Sequence, residues 1–211
     1  MAATTLSRLV LERLVAAYRA AAEPERAVAM RAYMRDQFPF LGLPAPRQRT
    51  LAREVLAGLP APAEADLRAV ALGCWALPER EFQYFAGGWL RRHVRACSPG
   101  FLDTARQLIV TKSWWDTVDT LAAHVVGPLV TRHPELVSTM DVWAVEDNLW
   151  LARTALLHQL GRREQTDAAR LFRYCLAQAG HRDFFIRKAI GWALRDYAKA
   201  APETVRTFVQ T

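Results

Sequence analysis

One short stretch of the 211-residue chain gathers residue types that act on positive charge: Lys112-Ser113-Trp114-Trp115-Asp116-Thr117-Val118-Asp119. Trp115 and Asp119 lie four residues apart, so on a helix they share a face. An indole face attracts a cation through its quadrupole and a carboxylate attracts it directly. Trp192 and Tyr33 are the other aromatic residues read as part of such a cleft, with arginines at its rim. Core packing is the competing reading for any single tryptophan, since the chain has seven. Trp75, Trp89, Trp143 and Trp150 are assigned to packing.

These residues need elements to hold them, and the apolar pattern is helical almost throughout. Leu6, Leu9, Val10, Leu14 and Tyr18 form one stripe. Leu51, Val55 and Leu56 form another, followed by Phe82, Phe85, Trp89 and Leu90. Leu102, Ala105, Leu108 and Ile109 come next, then Ala168, Leu171, Phe172 and Cys175. Breaks at Pro44, Pro46, Pro60, Pro62, Pro99-Gly100, Pro134, Gly161, Gly180 and Pro202 divide the chain into roughly a dozen short helices. No alternating pattern lasts long enough for a strand. The expectation is an all-α chain.

The helices also repeat. Residues 118–124, 152–158 and 186–192 align at a constant offset of 34, the length of a helix-turn-helix unit in an α-solenoid. The pattern predicts a degenerate, HEAT-like stack of helical repeats, a curved single domain over residues 1–211 with a concave groove. Asp119, Arg153 and Arg187 hold equivalent positions, and equivalent positions in a solenoid line one surface. A salt-bridge ladder between repeats is the alternative reading of that row.

Composition narrows the partner. Lys and Arg total 28 against 21 Asp and Glu, a formal charge of +7, which favours a polyanion. The bland counterpart is an arginine-rich composition, for only Lys112, Lys188 and Lys199 are lysines. Cys74, Cys97 and Cys175 are far apart and form no metal-ligand spacing, so buried free thiols in a reducing compartment are expected. Arg and Glu interrupt the first twenty residues, unlike a signal peptide, and no apolar run of about 18 residues offers a membrane span. A cytoplasmic protein with no metal and no cofactor is expected.

Beyond these readings, the segments 33–43 (YMRDQFPFLGL), 112–119 (KSWWDTVD), Arg153-Thr154 and 189–195 (AIGWALR) closely resemble the DNA alkylation repair family of AlkD-like glycosylases. The similarity runs from about residue 5 to the C-terminus. It implies an arc of HEAT-like helical pairs and hydrolysis of the N-glycosidic bond of N3-methyladenine and N7-methylguanine in duplex DNA. By resemblance the catalytic carboxylate falls on Asp119, the tryptophans flanking the lesion's deoxyribose on Trp115 and Trp192, the associated arginine on Arg153, and the aromatic residue completing the cleft on Tyr33.

The chemistry of these residue types agrees. An alkylated cationic purine departs without a general acid, so the developing sugar cation is what needs a carboxylate and electron-rich rings. A Schiff-base lyase step needs a desolvated lysine, and Lys188 beside Arg187 reads as a phosphate contact, so a monofunctional enzyme is expected. Further backbone contacts are expected from Lys112, Arg187, Arg47, Arg49, Arg53, Arg91, Arg92, Arg95, Arg162 and Arg163, each equally readable as solvated surface. A monomer acting on alkylated double-stranded DNA, associated with the nucleoid while acting, completes the expectation. Its rival is a non-catalytic HEAT-like scaffold that binds DNA or protein.

Overall fold

A computed structural model of the chain describes residues 4–210, so the extreme ends of the expected 1–211 domain lie outside the described residues. All regular structure among the described residues is helical. The chain forms two compact units that meet in sequence between Ala96 and Cys97.

The first unit holds α1 (Thr5–Ala20), α2 (Pro24–Tyr33), α3 (Ala45–Leu56), α4 (Glu64–Ala76) and α5 (Arg80–His93). Thr4 caps α1 by accepting a hydrogen bond from the Ser7 amide at 3.0 Å, and its hydroxyl also bonds Asp66 on α4. The expected stripe on α1 buries Val10, Leu14 and Tyr18, and α1 packs on α3 and α4. Helix α2 buries no side chain. It runs into Arg35 and Asp36, both left-handed at φ 54° and 56°.

What fixes the chain between α2 and α3 is a buried carboxylate. Glu81, fully buried on α5, accepts from the amides of Leu41, Gly42 and Leu43 at 2.8 to 3.1 Å. Beside it the fully buried Arg80 lays its guanidinium 3.8 Å from the Phe38 ring centre. Gly42 sits at φ +87°, and a Cβ there would come within 2.1 Å of the Glu23 carbonyl, so glycine is required on both counts.

The second unit holds α6 (Phe101–Val110), α7 (Trp115–Leu121), α8 (Gly127–Arg132), α9 (Val137–Trp143), α10 (Leu149–Leu157), α11 (Ala168–Ala177), α12 (Phe184–Tyr197) and α13 (Pro202–Gln210). Helices α7 and α8 are continuous through a π turn over Ala122–Val126. Pro128 has no amide to donate to the carbonyl one turn back, and the wider turn accommodates that break. At Gly127 a Cβ would lie 2.3 Å from the His158 carbonyl, so the end of α10 rests on bare backbone there.

Helix α10 is the axis of this unit. Leu151 through Leu157 are all buried, and it packs on α7, α9, α11 and α12. Helices α7, α10 and α12 begin at Trp115, Leu149 and Phe184, close to the 34-residue period read from the sequence. Asp141 on α9 ties down α11, accepting from Arg170 at 3.0 Å, Tyr174 at 2.7 Å and Arg173 at 2.5 Å. Those donors hold its carboxyl well below the usual range, the Arg170 bond foremost. All three cysteines are buried free thiols, as expected.

Two stability effects follow from buried ionisable groups. Glu81→Ala strands three buried amides and should cost about 3 kcal/mol or more in chemical denaturation, while Glu81→Gln should recover only part of that. His158, buried on the α10 end with Nδ1 2.7 Å from the Ala155 carbonyl, has its pKa lowered to about 4, chiefly by burial. The unfolded chain therefore binds a proton that the folded chain refuses between pH 6.5 and 4. Stability should fall by about 3 kcal/mol as pH drops through that window. Unfolding free energies measured from pH 7 to 4 should show the decline, and His158→Gln should flatten it.

Candidate active site

The KSWWDTVD segment turns a corner and starts a helix. Lys112 takes a left-handed conformation at φ 50°, Ser113 bonds back to the Ile109 carbonyl at 2.6 Å, and Trp114 is the extended residue before α7. This places the half-buried Trp115 in the first turn of α7 and Asp119 four residues on, along the same helix.

Asp119 is met by Arg153 from α10. Arg153 Nε donates to one carboxylate oxygen at 2.7 Å and Nη2 to the other at 2.8 Å, a side-on bidentate pair. The Arg153 side chain is only 5% exposed and that of Asp119 14%. The remaining edge of the guanidinium donates through Nη1 to the Phe185 carbonyl in the first turn of α12. One buried guanidinium thus joins three helices at nearly equivalent positions of the repeat.

The row read from the sequence is therefore correct for its first two members and changes at the third. Arg187 is exposed, and among the described residues it has no carboxylate partner. The Phe185 carbonyl takes the third place, accepting from Arg153. Asp119 and Arg153 also realise the salt-bridge reading of the ladder, with the bond buried between repeats and not on an outer surface.

Aromatic rings from the starts of the same three helices pack on one another. The Phe185 ring lies 5.0 Å from Trp114 and 5.3 Å from Trp150, and Trp114 is 5.9 Å from Trp150. Trp114 Nε1 is buried without a hydrogen-bond partner, so the cluster contributes apolar packing and no polar anchor there. Trp150, read as core, is half-buried and welds the first turn of α10 to α7 and α12. Sequence reading missed Phe185. The available signal was Asp183, a capping residue that accepts from the Phe185 amide at 2.6 Å and so marks the start of a helix.

The remaining predicted residues are placed as follows. Trp192 lies on α12, 40% exposed among the large apolar side chains, and α12 packs on α10. Tyr33 ends α2 in the first unit and is 73% exposed. Lys188 is exposed with its ammonium 5.6 Å from the Phe184 ring, and Arg47, Arg91, Arg92 and Arg163 are exposed as well. Lys112 is half-buried. Arg162 is half-buried too, its guanidinium engaged by Thr131 and Gln159. Among the described residues no group of three or more His, Cys, Asp or Glu side chains is arranged to hold a metal ion, and no helix is long and apolar enough to cross a membrane.

Burial pushes the Asp119 carboxyl above its ordinary value, Arg153 pulls it back down by bonding and by charge, and Asp116 adds a smaller upward push. Each carboxylate oxygen has two lone pairs and Arg153 uses one on each, so acceptor capacity remains. The arrangement defines a class: a helical-repeat protein with one rigidly held carboxylate on the helix that carries Trp115.

Comparison with known proteins agrees with that class. The chain belongs to the DNA alkylation repair enzyme family, whose sequence profile matches residues 14–211. A solved structure described as a predicted DNA alkylation repair enzyme from Enterococcus faecalis superposes with a TM-score of 0.83. It is 31% identical in sequence, over 90% of this chain and 89% of that one. No curated protein matches the sequence.

Removing the guanidinium while keeping apolar bulk, as in Arg153→Met, should move the Asp119 titration further upward, because the bond that lowers it is gone. Carboxyl-carbon NMR from pH 3 to 8 reads the shift. The same variant should lose on the order of 3 kcal/mol of stability, since it leaves a buried carboxylate without its counter-charge.

Proposed function

We propose that this alkylation repair protein is a monofunctional DNA glycosylase. It hydrolyses the N-glycosidic bond of cationic alkylated purines, N3-methyladenine and N7-methylguanine, in duplex DNA. The observation that carries the reading is the Asp119 carboxylate, which shares a helix with Trp115 and is fixed by two bonds to the buried Arg153 of α10. A fixed carboxylate stabilises developing positive charge without first reorganising, which is where electrostatic catalysis gains most.

The substrate's own charge makes the purine a good leaving group. As the C1′–N bond breaks, its electron pair stays on the purine and neutralises it, and positive charge moves to the sugar. Asp119, with the indoles of Trp115 and Trp192, stabilises that charge. A water molecule on a free lone pair of the carboxylate attacks C1′ and gives up its proton to the carboxylate and then to solvent. Arg153 holds the carboxylate's orientation through both steps. Tyr33 enters this assignment by resemblance alone, whereas a single domain over residues 1–211 is proposed from the 34-residue repeat. The exposed Arg47, Arg91, Arg92, Arg163, Arg187 and Lys188 are assigned to phosphates, with Lys112 and Arg162 in lesser roles because they are half-buried.

The deciding assay incubates the protein with duplex DNA containing N7-methylguanine and follows released base and heat-labile abasic sites under single-turnover conditions. Wild type should release base, and Asp119→Asn should do so about 100- to 1,000-fold more slowly while still binding the duplex. An unchanged rate in Asp119→Asn would sink the assignment. Binding without release by wild type would favour a non-catalytic scaffold.

A further inference from the structure

A cavity of the first unit contains none of the residues assigned above to bond cleavage, and of its lining only Arg92 is assigned to a duplex phosphate. It is a groove of about 990 Å³ between α1, α3, α5 and the Leu59-Pro60-Ala61-Pro62 turn, within the size range of small-ligand sites. Apolar side chains such as Val10, Ala52 and Leu56 line it, with the rings of Tyr84 and Trp89. Arg49, Arg53, Arg92 and His93 complete the lining, and no Asp or Glu contributes to it. None of those three arginines has a carboxylate partner among the described residues. Burial, with Arg92 alongside, lowers the His93 pKa and favours its neutral form.

Gly88 is a second, independent observation. It lies mid-helix on α5 between Tyr84 and Arg92, exposed, and lines the groove. A Cβ built on it meets nothing within 4 Å, so packing does not demand glycine there. Glycine inside a helix is unfavourable relative to alanine. A helix that carries one without steric need, on the floor of a groove, leaves room for something to approach its backbone.

We propose that this groove is a second nucleic-acid site, one that takes an unpaired nucleotide of a DNA strand. The phosphates lie on Arg49, Arg53 and Arg92, and the base lies over the bare backbone at Gly88 beside Tyr84. Stacking on an aromatic ring combined with arginine-bound phosphates is the general chemistry of single-strand binding. A strand fits better than a free nucleotide because positive charge continues past the cavity. Arg47 on α3, Arg91 on α5 and Arg95 just beyond α5 are all exposed, and none has a carboxylate partner among the described residues. The inference rests on DNA as the partner and not on the excision chemistry.

The test uses the full-length protein and a fluorescein-labelled, undamaged oligothymidylate of about ten nucleotides, read by anisotropy. Gly88→Leu fills the groove and improves helix propensity. It should weaken single-strand binding about tenfold or more without lowering Tm. Arg53→Ala combined with Arg92→Ala should weaken it at least as much and flatten its salt dependence. Asp119→Asn should leave it unchanged, which separates this site from the one around Asp119. Thymidine monophosphate should compete poorly. Wild-type affinity in Gly88→Leu would overturn the proposal, and competition by the mononucleotide as effective as by the oligomer would overturn the assignment to a strand. Gly88→Leu should still excise base from the N7-methylguanine duplex, which separates this groove from the Asp119 site; Arg92 is also assigned to duplex phosphates, so excision is read in Gly88→Leu and not in the arginine double variant.

Discussion

The Arg153 guanidinium is the interaction on which the second unit's candidate site depends. It is nearly fully buried, and its three donor positions go to a carboxylate on α7 and a carbonyl on α12. A buried arginine is tolerated only when its charge and its donors are met. That requirement works in both directions. Asp119 must stay ionised and oriented to satisfy Arg153, and Arg153 must stay in place to keep Asp119 charged in a partly desolvated setting. The rings of Trp114, Trp150 and Phe185 pack on one another, so α7, α10 and α12 are joined by an aromatic cluster as well as by this polar contact.

Much of this was legible in the sequence because it depends on period. Proline and glycine breaks marked the helix ends, apolar stripes marked the buried faces, and the 34-residue offset put Asp119 and Arg153 at equivalent positions of successive repeats. The offset could not show which atom would occupy the third position. Periodicity equates side chains, whereas the group beside Arg153 on α12 is a backbone carbonyl, and any residue type supplies one. Trp150 was assigned to packing and does pack, on Trp114 and Phe185. Its partners were not legible, because Phe185 approaches from a helix more than thirty residues further along the chain.

The first unit was less legible because its organising contact is not periodic. Glu81 reaches a loop some forty residues away in sequence and binds three consecutive amides. A glutamate next to an arginine at the start of a helix ordinarily reads as solvated, and both are fully buried. The FPFLG stretch was recognised only by its resemblance. Its physical requirement, a glycine at φ +87° pressed against the Glu23 carbonyl, appears only once the loop is closed.

The three cysteines gain meaning from the damage the family repairs. Methylating agents attack thiolates readily, and the reactive species is the deprotonated sulfur. Cys74, Cys97 and Cys175 are all buried, and burial pushes the Cys74 thiol far above its ordinary value and that of Cys175 up to about 12. Burial thus keeps the Cys74 and Cys175 thiols protonated and puts all three sulfurs out of reach of electrophiles. The packing that builds the core also shields the protein from the chemistry it answers.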